Sequence, residues 1–212
     1  MSAPSLRGAF RIALAFVALL WLIRLVETVT GADLARFGVF PLRLHGLLGV
    51  LFAPLIHGSW EHLIANTAPV LVLGTALLYG YPRSAPIVLP AVYLGAGVAV
   101  WLFARPSFHV GSSGLAFGML LFVFTMGVLR WDPRAIALAM IVSFLYGSMV
   151  WGVLPLEEGV SFETHLAGAV IGVALAFALR HRDPPPPRKR YSWEDEEEEE
   201  KEKELEYVER LD

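Results

Sequence analysis

Residues 111–129 read GSSGLAFGMLLFVFTMGVL, an uncharged run opened by two serines held between glycines. A helix that crosses a bilayer needs ~20 mostly apolar residues, and the stretch 113–129 approaches that length. Working outward, five more segments do the same: 9–27, 62–81, 84–104, 135–154 and 164–179. The last is short by a turn, which helix tilt or a thinner local bilayer absorbs. Composition agrees. The chain is 56 % hydrophobic and 17 % charged, with many of the charges after residue 182, whereas soluble domains carry roughly 45–50 % apolar and about 25 % charged residues. The fold class expected is all-α, a polytopic membrane bundle of six helices.

Arg7 and Arg11 precede an apolar run that reaches Ile23 without a small-residue cleavage site, so the first helix reads as retained. The absence of cysteine excludes disulfides and thiolate chemistry. Between the first two helices, residues 44–56 (LHGLLGVLFAPLI) are apolar but too short to span, and Gly46, Gly49 and Pro54 interrupt them. Such a stretch is interfacial or re-entrant, tolerated where protein or a water cavity satisfies its backbone.

With six crossings, Arg7, Arg11, Arg83, Arg130, Arg134, Arg180, Arg182, Arg188, Lys189 and Arg190 all fall on one side. The other side receives Arg24, Arg36, Arg43 and Arg105 with Asp33, Glu157, Glu158 and Glu163. The positive-inside rule then places both termini in the cytoplasm of a multi-pass protein of the cell membrane. Residues 1–182 form the membrane domain. From 183 to 212 a different composition takes over: four prolines (Pro184 to Pro187), Arg-Lys-Arg, then an acidic run from Glu194 to Glu200. The prolines make a stiff spacer. The acidic stretch repels itself and reads as disordered or partly helical, with Glu197/Lys201 and Glu199/Lys203 able to support a short exposed helix.

Polar groups inside a membrane are costly and point to function. Helices two, four and six run in the same direction, and their first turns carry His62 with Asn66, Ser113, and His165. Four polar groups thus share one depth on three parallel helices. A serine hydroxyl is a poor nucleophile until a base is positioned beside it, and histidine is the usual base. His62 and Asn66, spaced i, i+4, project from one face and could supply donors to an oxyanion. The Ser113 amide, at an open helix N-terminus, adds a further donor. Small residues permit close helix approach: Gly168, Ala169, Gly172 and Ala176 follow His165, and Gly114 and Gly118 follow Ser113. Zinc hydrolase chemistry asks for His-Glu-x-x-His, and aspartyl chemistry for two membrane aspartates; the sequence offers neither.

Three motifs in order, His57-x4-His62-x3-Asn66, Gly111-Ser112-Ser113-Gly114 and His165-x2-Gly168-x3-Gly172, resemble the rhomboid intramembrane serine proteases of the bacterial six-helix type, over about residues 8–180. The resemblance implies Ser113 as nucleophile, His165 as general base, and His62 and Asn66 as oxyanion residues. It implies a membrane-embedded first loop and supporting places for His57, Gly111, Gly114, Phe117 and Gly168. Substrates are then transmembrane segments of other proteins, admitted past the fifth helix and under the loop 154–162. No cofactor, metal or nucleic acid is expected; the partners are the lipid bilayer and the transmembrane substrates. Two positions depart from the family: His45-Gly46 stands where many members carry Trp-Arg, and Phe117 stands where tyrosine often stacks on the base. The alternative function is a non-catalytic rhomboid-like protein that binds membrane helices; such relatives typically lose the serine or the histidine, and both are present here. His109 reads as interfacial, His45 and His181 carry no role, and Trp21, Trp60, Trp101, Trp131 and Trp151 read as interface anchors near helix ends.

Reporter fusions after Pro82 and after Asp132 should read cytoplasmic, and fusions after Pro106 and Glu158 external. A cytoplasmic reading at Pro106 would remove the common depth of Ser113 and His165.

Overall fold

The computed structural model describes residues 5–156, 159–183, 192–193 and 200–201. Glu157, Glu158, the four prolines, Arg188 to Arg190 and most of the acidic run lie outside the described residues. Six helices are long and apolar enough to cross a membrane: α1 (Leu6–Thr30), α2 (Trp60–Gly80), α3 (Ala85–Phe103), α4 (Ser113–Arg130), α5 (Pro133–Tyr146), whose span continues to Val153, and α6 (Phe162–Leu179). The expected all-α polytopic bundle is what the chain forms.

The helix starts are written locally. Ser5, Ser59, Asp132 and Ser161 each accept a hydrogen bond from a backbone N–H in the first turn of α1, α2, α5 and α6, satisfying donors that a helix leaves orphaned. Pro133 adds a pre-set φ at the start of α5. Helix α1 stops at Gly31, which takes the left-handed conformation at φ 67.

Helix α4 is the centre of the bundle. In its spanning window 61 % of residues are buried, against 11 % in that of α5. Leu73 and Leu77 of α2, Val88 and Val92 of α3, and Met119, Phe122 and Met126 of α4 form one continuous core. The tightest seam joins α4 to α6. A Cβ at Gly168 would overlap the carbonyl of Gly114, and one at Gly172 the carbonyl of Gly118. Both helices therefore touch through bare backbone, as the small-residue stripes predicted.

The fifth segment differs from expectation. The continuous helix expected over 135–154 ends at Tyr146, and Gly147–Val153 winds as a 3₁₀ helix without a single buried residue. Gly147 and Gly152 offer no side chain to hold α winding against the core, and the tighter 3₁₀ form takes over.

The first loop is a chain of helical turns, Leu44–Leu48, Gly49–Phe52 and Ala53–Leu55. Gly46 and Gly49 press against the backbone of Phe40 and of Gly38–Val39. Helix α3 ties the loop down: the Trp101 indole donates to the Arg43 carbonyl (2.9 Å), and the Tyr93 hydroxyl to that of Leu51 (2.6 Å). These contacts hold the loop against α3 on either side of Gly46. The loop in turn carries the approach to α4, through a two-bond bridge between Val39 and His109 and a bond from the Gly111 amide to the Ala53 carbonyl (2.8 Å).

At the opposite end, Asp183 is buried and accepts bonds from the amides of Arg83 (2.8 Å) and Ser84 (3.0 Å) and from the Ser84 hydroxyl (2.5 Å). It serves the start of α3 from the far end of the domain, next to the position where the sequence placed the composition change. Asp183→Ala leaves the Arg83 amide and the Ser84 hydroxyl unpaired, while the Ser84 amide keeps the Tyr81 carbonyl (3.1 Å), so it should cost about 1–3 kcal/mol in a detergent melt. Deletion of 184–212 should leave the melt unchanged. Equal melting of Asp183→Ala and the parent would show that water satisfies the Arg83 amide and the Ser84 hydroxyl.

Candidate active site

The first turns of α2, α4 and α6 meet at one end of the bundle, as the common depth of their polar residues required. Ser113 opens α4 and is half-buried. Its Oγ lies 2.9 Å from Nε2 of His165, which sits in the first turn of α6 and is buried. The glycine seam explains the distance: with Gly114 against Gly168 just below, the helices approach closely enough for two short side chains to meet. The face of the imidazole stacks on Phe117, one turn further along α4, at 4.2 Å between centroids and 7° between planes. Phe117 thus provides the flat wall that the sequence assigned to it.

On its other edge, Nδ1 of His165 lies 2.8 Å from the carbonyl oxygen of Gly152, in the 3₁₀ turn after α5. Sequence reasoning missed this partner. A backbone carbonyl leaves no mark of residue type, and the glycine carries only the signal of a small residue in an apolar run. A Cβ there would come 2.9 Å from Cζ of Phe117 and 3.2 Å from Nδ1 of His165.

His62 and Asn66 line the α2 side. The half-buried His62 ring lies against Gly111: a Cβ at Gly111 would come within 2.6 Å of its Cε1 and 2.7 Å of its Nε2. Gly111 also takes φ 114, a conformation L side chains rarely adopt, so the glycine is required twice. The Asn66 amide is buried and donates one N–H to the His62 carbonyl at 2.9 Å; its second N–H is not used in that bond. The first amides of α4, including that of Ser113, have no acceptor within the helix.

His57 lies beneath this layer. It is buried, with Nε2 3.2 Å from Oγ of Ser112 and 3.4 Å from the Ser112 amide. Ser112 is fully buried, while its neighbour Ser113 faces His165. Arg24 of α1 donates to the His57 carbonyl (3.2 Å), pairs with Glu27 (2.5 Å) and covers the Trp60 ring. Glu27 also accepts from the Leu34 amide (3.1 Å). The ionic pair was missed, although charged residues near the end of an apolar helix were the signal for it. His109 is buried, bound to Ser161 through Nδ1 (2.6 Å), and holds the segment before Gly111 rather than joining the serine. Among the described residues, no group of three His, Asp or Glu side chains has the arrangement of a metal site.

Comparison with known proteins places residues 45–182 under the family model described as the Rhomboid domain. An uncharacterized protein of Mycobacterium tuberculosis is 38 % identical over 175 residues, which cover 78 % of this chain and 73 % of the relative. An uncharacterized protein of Mycobacterium leprae is 36 % identical over 178 residues, covering 78 % and 69 %. The RHOMBOID-like protein 4 of Arabidopsis thaliana is 27 % identical over 129 residues, covering 58 % and 32 %.

Burial first, then the neighbouring His62 and Arg24, hold His57 well below its ordinary 6.5, at about 4. The folded protein therefore keeps His57 neutral where the unfolded chain would bind a proton. Its contribution to stability is complete above pH 6.5 and is lost as pH falls from there towards 4. The melting temperature in detergent should drop across that window, and His57→Gln should flatten the drop. An equally steep profile in the variant would assign the acid sensitivity to other groups.

Proposed function

The chain belongs to the rhomboid family, and from that premise we propose that it is an intramembrane serine endopeptidase that cuts transmembrane segments of other proteins near the outer face of the cell membrane. The observation that carries this reading is the 2.9 Å contact between Ser113 Oγ and His165 Nε2. A non-catalytic binder has no use for a paired hydroxyl and imidazole at the top of a bundle core.

In this reaction Ser113 attacks a peptide carbonyl while Nε2 of His165 takes its proton. The tetrahedral oxygen is held by the Ser113 amide, His62 and Asn66, donors that act on charge developing in the transition state. His165 then delivers its proton to the leaving amine, and water repeats the sequence on the acyl-serine. The substrate is a membrane helix with a stretch that unwinds, since a peptide carbonyl bonded within a helix cannot reach Ser113. The sparsely buried α5 is the side from which it approaches.

Ser113→Ala should abolish both fluorophosphonate labelling and cleavage of a transmembrane substrate. Ser112→Ala should still label, because that hydroxyl is turned to His57. Labelling that persists in Ser113→Ala would move the nucleophile elsewhere.

Asn66→Ala tests the oxyanion assignment apart from the dyad. Removing one such donor costs about 100- to 1000-fold in kcat, and KM should hardly change because the contact exists only in the transition state. If Asn66 serves only its helix, the variant will melt earlier and keep its turnover per folded molecule.

A further inference from the structure

We infer that the carbonyl of Gly152 is the positioning group that sets the tautomer of His165, so that the base is competent only while the 147–153 turn is seated against it. The inference rests on the protease reading above and names a device within that site.

A carbonyl oxygen only accepts hydrogen bonds. The 2.8 Å contact between Gly152 O and His165 Nδ1 therefore places the proton on Nδ1. In a neutral imidazole the other nitrogen is then bare, and that nitrogen, Nε2, is the one 2.9 Å from the Ser113 hydroxyl. The opposite tautomer would lose the Gly152 contact, since a bare Nδ1 would face a carbonyl, and its Nε2–H could donate to the Ser113 hydroxyl but could not take the serine proton. Stacking on Phe117 fixes the plane of the ring but says nothing about which nitrogen is protonated. The carbonyl supplies that missing information.

Glycine is needed for this approach. With a Cβ at 152, Phe117 Cζ at 2.9 Å and His165 Nδ1 at 3.2 Å would push the turn away from the ring. The turn itself is held lightly. It has no buried residue, belongs to the least buried of the six spans, and follows the point where α5 gives up its α winding. The group that orients the base therefore rides on a segment with no buried residue, whereas the serine and the histidine ride on the two helices joined by the glycine seam. Displacement of the turn disarms the base without disturbing the dyad's own helices.

The test is the ¹⁵N shift of the His165 ring nitrogens in the full-length, detergent-solubilised protein at neutral pH, assigned by difference from His165→Gln. The expected result is a protonated Nδ1 and a bare Nε2. In Gly152→Ala the ring should become a mixture of tautomers. The kcat for a transmembrane substrate should fall by about 10- to 100-fold, the scale of one hydrogen bond to a group that becomes charged, with KM nearly constant. A protonated Nε2 in the parent protein overturns the inference, and that measurement stands even if Gly152→Ala does not fold. So does a Gly152→Ala protein that melts earlier but keeps its tautomer and kcat, which would make Gly152 a packing residue only. If the parent shows the expected tautomer yet neither labels with a fluorophosphonate nor cleaves any transmembrane substrate, the protease reading falls and the hydrogen bond to Gly152 remains.

Discussion

Inside a bilayer no water presses apolar helices together, so the meeting of α4 and α6 rests on backbone contact between Gly114, Gly118, Gly168 and Gly172. Everything at the site inherits its dimensions from that seam. Ser113 stands one residue before the first glycine of α4, and His165 three residues before the first of α6. Their side chains are short, and a methyl group at Gly168 or Gly172 would overlap the backbone of α4 and push the two helices apart. Dispersion contacts are weak singly and fall off steeply with distance. The seam therefore serves binding between helices and alignment of the dyad at the same time.

A second layer of order comes from groups whose task is to satisfy backbone at depth. The first loop cannot span, so its carbonyls are met by Trp101 and Tyr93 from α3 and by the amide of Gly111. Beneath it, His57, Ser112, Arg24 and Glu27 form a polar floor under the α4 start. Burying such charge is costly, and removing one partner is costlier still because it leaves the other uncompensated; Nε of Arg24 itself has no hydrogen-bond partner. Here Arg24 is shared between a carboxylate, a carbonyl and the Trp60 ring. The floor links α1 to the loop in front of α2 through the Arg24–His57 bond.

Much of this was legible in the sequence because a membrane permits so few solutions. Apolar runs of the required length marked all six spans to within a few residues, and the polar residues in the first turns of the second, fourth and sixth helices singled out His62, Asn66, Ser113 and His165 as one group. The small-residue stripes identified the seam. What escaped was backbone chemistry and reach. The end of α5 at Tyr146 depends on winding preference in a run whose hydropathy does not change. The Gly152 carbonyl is an atom every residue possesses. Asp183 was read with the tail because composition shifts beside it, yet its carboxylate belongs to the bundle. Asn66 was placed on the right face, but its bond to the His62 carbonyl could not be seen from spacing.

The Asp183 contact has a bearing on how the chain is built. The hydroxyl of Ser84, at the start of α3, finds its acceptor 99 positions later in the sequence. During synthesis the start of α3 is made long before that acceptor exists, with its amides bonded locally to the Tyr81 and Ser84 carbonyls. Only when α6 has been laid in and its end emerges can the carboxylate turn back to close the α2–α3 corner. Helix insertion and bundle completion are thus separated in time. The clasp lies at the end of the domain remote from Ser113 and needs the end of α6 to have been made, so it depends on a complete bundle while standing apart from the chemistry.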